Sequence, residues 1–139
     1  MNKEELKRIL ELHKLYISTD GEKGETICLE NGEDISGFDL RGADLEGALF
    51  YDVNLQGADF TGADLYGVVM DGCNLSGVNL RDTHLRCATL GGCNLIGAKF
   101  SIEIRECFSF EGSSVSKDQL PWLALHPRFA ELLPSLQIK

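Results

Sequence analysis

The sequence predicts an all-β solenoid made of stacked, square, twenty-residue coils, and three observations predict it. Every fifth residue from Leu40 is large and apolar: Leu40, Leu45, Phe50, Leu55, Phe60, Leu65, Met70, Leu75, Leu80, Leu85, Leu90, Leu95 and Phe100. Two places before each lies a small residue in twelve of the thirteen five-residue units, Phe38 being the exception. An Asp or Asn directly precedes the large residue in eight of the thirteen, and a Gly follows it two places later in nine.

A period of five matches neither the 3.6 of a helix nor the 2 of a strand. It matches a very short extended segment followed by a turn. If the small and the large residue both point inward, the next two residues must turn the chain. Gly then takes the third place of a four-residue turn, where a type II turn requires positive φ and a side chain would strain. Four such corners close a square of twenty residues, and successive squares pair strand on strand at about 4.8 Å. Leu45, Phe60, Leu65, Leu75, Leu80, Leu85 and Leu95 are the expected core. Thirteen units at four to a coil make a stub only about 16 Å long.

The units GADLEGALFYDVNLQGADFTGADL, of A(D/N)LxG type, resemble those of the pentapeptide-repeat family over residues 35–100. The resemblance implies a right-handed quadrilateral β-helix. Asp52, Asp82 and Cys87 stand where Gly is expected. Those corners must either avoid positive φ or accept it under strain. Phe38 is too large for its slot and is expected to begin the lid at the base of the coil.

A solenoid has open ends, and terminal caps are the usual remedy. We therefore expect a single domain over residues 1–139: a helical cap and lead-in strand (1–34), the repeat (35–102), and a last strand with a helical cap or dimerisation segment (103–139). Leu6, Ile9, Leu10 and His13 lie on one helical stripe, and Asn2 with Glu5 has capping-box spacing. Residues 18–25 read as a loop and residues 26–29 (TICL) as a short strand. Ile102, Ile104, Phe108 and Phe110 alternate like a strand, and EGSSVS reads as a loop. In the tail, Leu120, Trp122, Leu123, Leu125, Phe129, Leu132 and Leu133 are interrupted by Pro121, Pro127 and Pro134, which limits it to one or two short helices. So apolar a stretch must either lid its own coil or join a second copy, so that the chain is a monomer or a C-terminally mediated homodimer.

Composition narrows the function classes. Thirteen basic and twenty-two acidic residues give a net charge of −9, which argues against a nucleic-acid backbone or an anionic membrane as partner. No apolar run approaches the length of a membrane span, and MNKEELKRILELHKLY lacks the apolar core of a signal peptide, so a cytoplasmic protein is expected. The five cysteines form no CxxC pair, and reduced thiols are expected. His13, His84 and His126 lie in different parts of the chain and make no ligand set. No phosphate-binding loop or nucleophile elbow occurs, so neither a metal nor another cofactor is expected, and no catalytic residue.

Residues twenty apart fall in columns. Asp44, Asp64 and His84 form one, and Asp39, Asp59, Asn79 and Lys99 its neighbour; the repeat itself imposes this spacing, so the columns need no catalytic explanation. Asn54, Asn74 and Asn94 form a column of amides able to ladder their hydrogen bonds. Cys73 and Cys93 stack inside as small filler. One wall departs from the pattern. Leu49 and Val69 occupy the outward place usually held by Asp or Asn, with Tyr51 and Tyr66 at the adjoining corners. An exposed apolar column marks a contact, either with the protein's own terminal helices or with another protein. From Gly37 to Asp71 there are seven acids and one base, and from Gly72 to Ser101 one acid and three bases.

The expected function is that of a non-enzymatic, bacterial-type interaction module with an unidentified protein partner. Its candidate contacts are Leu49, Tyr51, Tyr66, Val69, Trp122 and Phe129. The resemblance adds an alternative, since some members are acidic DNA mimics that bind DNA gyrase and protect it from inhibitors. Against that stand the shortness of the stack and the absence of a loop interrupting the units.

Overall fold

The computed structural model describes residues 1–101, 109–125 and 128–139. Helix α1 (Lys3–Ser18) opens the chain, with Asn2 Oδ1 accepting from the Glu5 amide at 2.9 Å and the Glu5 carboxylate reaching back to the Asn2 amide, the capping box its spacing predicts. Short strands follow at β1 (Cys28–Leu29), β2 (Leu49–Tyr51), β3 (Val69–Asp71), β4 (Asn79–Leu80), β5 (Lys99–Phe100) and β6 (Ser114–Val115). A 3-10 turn (Lys117–Gln119), α2 (Leu120–Leu123), α3 (Phe129–Leu132), a second 3-10 turn (Leu133–Ser135) and β7 (Gln137–Ile138) complete it.

Stacking is parallel and steps by twenty residues. Leu49 pairs with Val69 and Asn79 with Lys99, and single bridges join Asp39 to Asp59, Asp44 to Asp64, Asn54 to Asn74 and Asn74 to Asn94. At the corners the chain closes on itself: the Ala43 amide donates to the Leu40 carbonyl at 3.1 Å while Gly42, the third residue of that turn, has φ +63°. This is the type II geometry expected of the glycines. Asp52, Asp82 and Cys87 resolve their alternative in favour of strain, with φ of 57°, 56° and 62°. Asp tolerates the left-handed region better than most residues; Cys87 has no such local compensation.

The sequence reading missed why Asp and Asn recur. Their side chains do more than face water. In all eight units that carry one, the Oδ1 atom accepts the amide two residues ahead, at 2.9 Å for Asp59 with Thr61 and 3.0 Å for Asp64 with Tyr66, for example. An otherwise unpaired corner amide is thereby satisfied by a local Asx turn.

Inside the stack, Leu45, Phe60, Leu65, Leu75, Leu80, Leu85 and Leu95 are all buried. Cys73 and Cys93 are buried too, their Sγ atoms donating to the carbonyls of Phe50 and Met70 at 3.4 and 2.7 Å. Hydrogen bonding with the Cys73 sulfur, then burial, pushes the Cys93 thiol well above its ordinary range.

One end is closed by α1. Leu6 and His13 are buried against the coil, and Ile9, Leu10 and the half-buried Phe38 pack beside them. At the other end the loop expected at EGSSVS is corrected. Gly112 turns a corner at φ +70°, Ser113 is buried in the small slot, and Ser114–Val115 is a strand with Val115 buried. Phe110 and Val115 keep the five-residue register, so the coil continues: Ser109 bridges to Thr89 and Ser114 to Asn94. The glycine and serines here are a degenerate unit. Ile102, Ile104 and Phe108, expected in a strand, lie outside the described residues, as do Cys107, His126 and Pro127.

The tail also adds a strand that its helical reading does not include. β7 pairs parallel with β6, its amides donating from Gln137 to Ser113 and from Lys139 to Val115, both at 2.9 Å. Gln119, also buried, turns its Nε2 to the carbonyls of Leu95 and Ala98 at 2.8 and 3.3 Å. With Leu123 and Leu132 buried, these residues close their own coil.

Candidate functional site

The paired positions fall in four columns, each forming one wall of the stack, and three are polar. The Asn wall is laddered: Asn54 Nδ2 donates to Asp34 Oδ1 at 3.1 Å, Asn74 Nδ2 to Asn54 Oδ1 at 3.1 Å, and Asn94 Nδ2 to Asn74 Oδ1 at 3.4 Å. On the next wall Arg41 clamps Asp39 through Nε and Nη2 at 2.8 and 2.7 Å, which holds the exposed Asp39 carboxyl down at about 2. Asp59 below it is lowered by hydrogen bonds from Thr61, and Asp34 by those from Ser36.

The third wall brings Asp64 and His84 together, Oδ1 to Nδ1 at 3.2 Å, with the Tyr66 ring centroid 5.6 Å from that of His84. Both partners are nearly half exposed. Three cavities lie along α1 and the first coils, and this pair lines none of them. Among the described residues no three His, Cys, Asp or Glu side chains come together to hold a metal ion, and no helix is long and apolar enough to cross a membrane.

The fourth wall carries the anomaly. Its column runs Cys28, Leu49, Val69, Thr89 and Ser109, joined rung to rung by parallel pairing. Leu49 and Val69 are half-buried, while Tyr51 and Tyr66 are 37% and 38% exposed. Leu and Val lack the Oδ1 acceptor that bends the chain at Asp and Asn. On this wall alone among the described ones the ladder runs three residues, Leu49–Tyr51 on Val69–Asp71. At these two rungs the wall is more continuous and more apolar than the other three.

Two borders frame that face. One corner column is Glu46, Tyr66, Arg86, and the opposite one Tyr51, Asp71, Gly91, Glu111, with Asp52 beside Tyr51. At the α1 end, Leu49 shares a cavity of about 430 Å³ with Tyr16, Ile17, Asp20 and Glu46. Helix α1 thus reaches the upper edge of the wall and leaves Leu49 and Val69 partly open.

Of the candidate contacts, Leu49, Tyr51, Tyr66 and Val69 share one wall. Phe129 does not join them; it packs on the core at the tail. Trp122 belongs to α2, and its side chain lies outside the described residues. The cavity residues Tyr16 and Ile17 were missed by sequence reasoning. The signal available was the apolar character of Tyr16 and Ile17 beyond the Leu6–His13 stripe.

No curated protein sequence matches the chain. Among solved structures it is similar to a pentapeptide repeat protein from the cyanobacterium Cyanothece 51142, at 26% identity and a TM-score of 0.47, covering 70% of this chain and 66% of that one. It is similar to a pentapeptide repeat protein from the Arabidopsis thaliana thylakoid lumen at 24% identity and a TM-score of 0.36, covering 71% and 75%. It is similar also to QnrB1, a plasmid-mediated fluoroquinolone resistance protein, at 24% identity and a TM-score of 0.39, covering 70% of this chain and 57% of QnrB1. A family model for pentapeptide repeats matches eight copies over residues 34–67 and 63–101, the region that stacks in twenty-residue steps; through it, the chain belongs to the pentapeptide-repeat family.

Proposed function

We propose that this chain is a rigid, non-enzymatic protein–protein interaction module, built as a right-handed quadrilateral β-helix, whose contact face is the wall of Leu49 and Val69 flanked by Tyr51 and Tyr66. One observation carries the reading: at these two rungs the Asp or Asn that would cap the corner is replaced by an apolar residue, and the face stays partly open. Apolar surface left open on a small protein is a mark of a contact, and tyrosines are favoured at such contacts. Stacked hydrogen-bonded walls supply rigidity, so little ordering entropy opposes docking. The exposed Asp64–His84 pair has no enclosure to exclude water, which favours binding over chemistry.

The gyrase-mimic alternative has no specific observation in its favour. Each acidic column carries two carboxylates and then turns to His84, or to Asn79 and Lys99, a run of about 5 Å between neighbours that stops after two rungs.

Site-specific photo-crosslinking in the native host tests the reading. A crosslinking side chain at Tyr51 or Tyr66 is expected to yield a discrete adduct that the same group at Ser76, beside the Asn wall, does not. Identical adducts from all three positions, or none from Tyr51 and Tyr66, would remove this wall as the contact.

A further inference from the structure

We infer that the Leu49–Val69 wall takes a lysine- and arginine-bearing amphipathic segment of another protein, an inference that rests on that wall being the contact face. The apolar centre of the wall is bordered by acids on both sides. Asp52, Asp71 and Glu111 stand on one border; Glu46 and, at the α1 end, Asp20 stand on the other. Among the described residues, Arg86 is the single base along these borders.

The acidic border is shaped as well as charged. The Asp52 carboxylate leans down the stack over Gly72, and the Asp71 carboxylate over Gly91, where an added Cβ would lie 3.0 Å from its Oδ1. Gly72 and Gly91 bring no side chain of their own to this corner, so the two carboxylates lie over bare backbone on this border of the wall. Across the wall, the cavity lined by Tyr16, Ile17 and Leu49 carries Asp20 and Glu46 in the same lining.

An occupant must therefore place apolar side chains over Leu49 and Val69 and positive charges to either side. Rungs about 4.8 Å apart fit one contact per turn of a helix, whose pitch is about 5.4 Å. An acidic or nucleic-acid partner would bring like charge to both borders, and a bare apolar segment would leave four or five carboxylates facing it unpaired. The net charge of −9 would also steer a cationic segment to the molecule.

The test is selection from a random fifteen-residue peptide display library on the full-length protein, with Leu49→Asp/Val69→Asp as counter-target. That variant restores the acceptor the other walls use, so it is expected to keep its melting temperature. Selected peptides are expected to be enriched in Lys and Arg flanking apolar positions and to weaken at least about tenfold on the counter-target. With Asp52→Asn/Asp71→Asn, which keeps side chains that tolerate the corner, they are expected to weaken a few-fold and lose most of their salt dependence. Neutral or acidic peptides that still lose binding on the counter-target would overturn the cationic chemistry and leave the wall standing as a contact. Peptides that bind both proteins equally, or no selected peptides, would overturn the wall and this inference together.

Discussion

His13 Nδ1 accepts the backbone amide of Ile27 at 3.1 Å, tying helix α1 to the strand that leads into the first coil. The side chain is fully buried, and its Nε2 has no hydrogen-bond partner. A ring that accepts through Nδ1 is neutral and carries its proton on Nε2.

Acid is therefore expected to loosen this cap. Burial lowers the His13 pKa, only partly offset by the charge of Asp44. Because the folded value lies below the unfolded one, stability is fully present above about pH 6.5 and falls as pH drops from there toward the folded value. One proton limits the slope to about 1.4 kcal/mol per pH unit. Urea midpoints measured from pH 7.5 to 5 are expected to fall in the native protein and stay flatter in His13→Asn, whose Oδ1 can still accept from Ile27. Asp34, Asp39 and Asp59, all lowered, take effect only nearer pH 4 and below, so the two windows separate. Equal slopes in both proteins would exclude His13 as the origin.

Gly24 and Gly57 both have positive φ, yet their substitutions are expected to differ. A Cβ at Gly24 would strike the Leu12 carbonyl and lie 2.7 Å from the Tyr16 amide nitrogen, backbone atoms of α1 that cannot swing aside. At Gly57 it would meet nothing within 4 Å. Gly57→Ala is expected to cost about 1–2 kcal/mol from the left-handed backbone alone. Gly24→Ala adds a backbone clash and is expected to cost at least about 1 kcal/mol more. Thermal denaturation of the two variants side by side measures the difference.

Removal of the central amide of the Asn ladder is expected to be felt on two rungs at once. Asn74 donates to Asn54, accepts from Asn94 and caps the Ser76 amide at 3.2 Å. Asn74→Ala is expected to cost about 1–3 kcal/mol, through partly buried groups left unpaired. Hydrogen exchange at Ser76 is expected to accelerate with it; an unchanged rate would mean the cap contributes little.

Leu75 tests the register of the core. It is completely buried at the middle of the stack, and Leu75→Ala is expected to cost about 2–5 kcal/mol by leaving a cavity. A loss below about 1 kcal/mol in denaturant unfolding would contradict the inward placement of every fifth residue.

The coil was legible because its information is local and repeated. Ala58, Phe60 and Gly62 state in five residues which side chain points in and where the chain turns, and each further unit restates it. Leu49 and Val69 were legible as departures for the same reason. The Asx turns were not, since an outward Asp reads as a solvated residue until its Oδ1 is seen on the amide two places ahead. Ser113 and Val115 were misread because Gly and Ser weigh toward a loop when composition alone is considered, whereas a stacked neighbour at Cys93 accommodates them as a rung.

The sequence by itself determined the period, the inward and outward positions and the end at which α1 begins. Contacts between distant segments were decided only by the tertiary structure: β7 on β6, Gln119 against the carbonyls of Leu95 and Ala98, His13 under Ile27, and Tyr16 beside Leu49. The physical reason is that a repeat encodes neighbours five and twenty residues apart, while nonrepeating ends find their places by burying whatever apolar surface and unpaired backbone the coil leaves open.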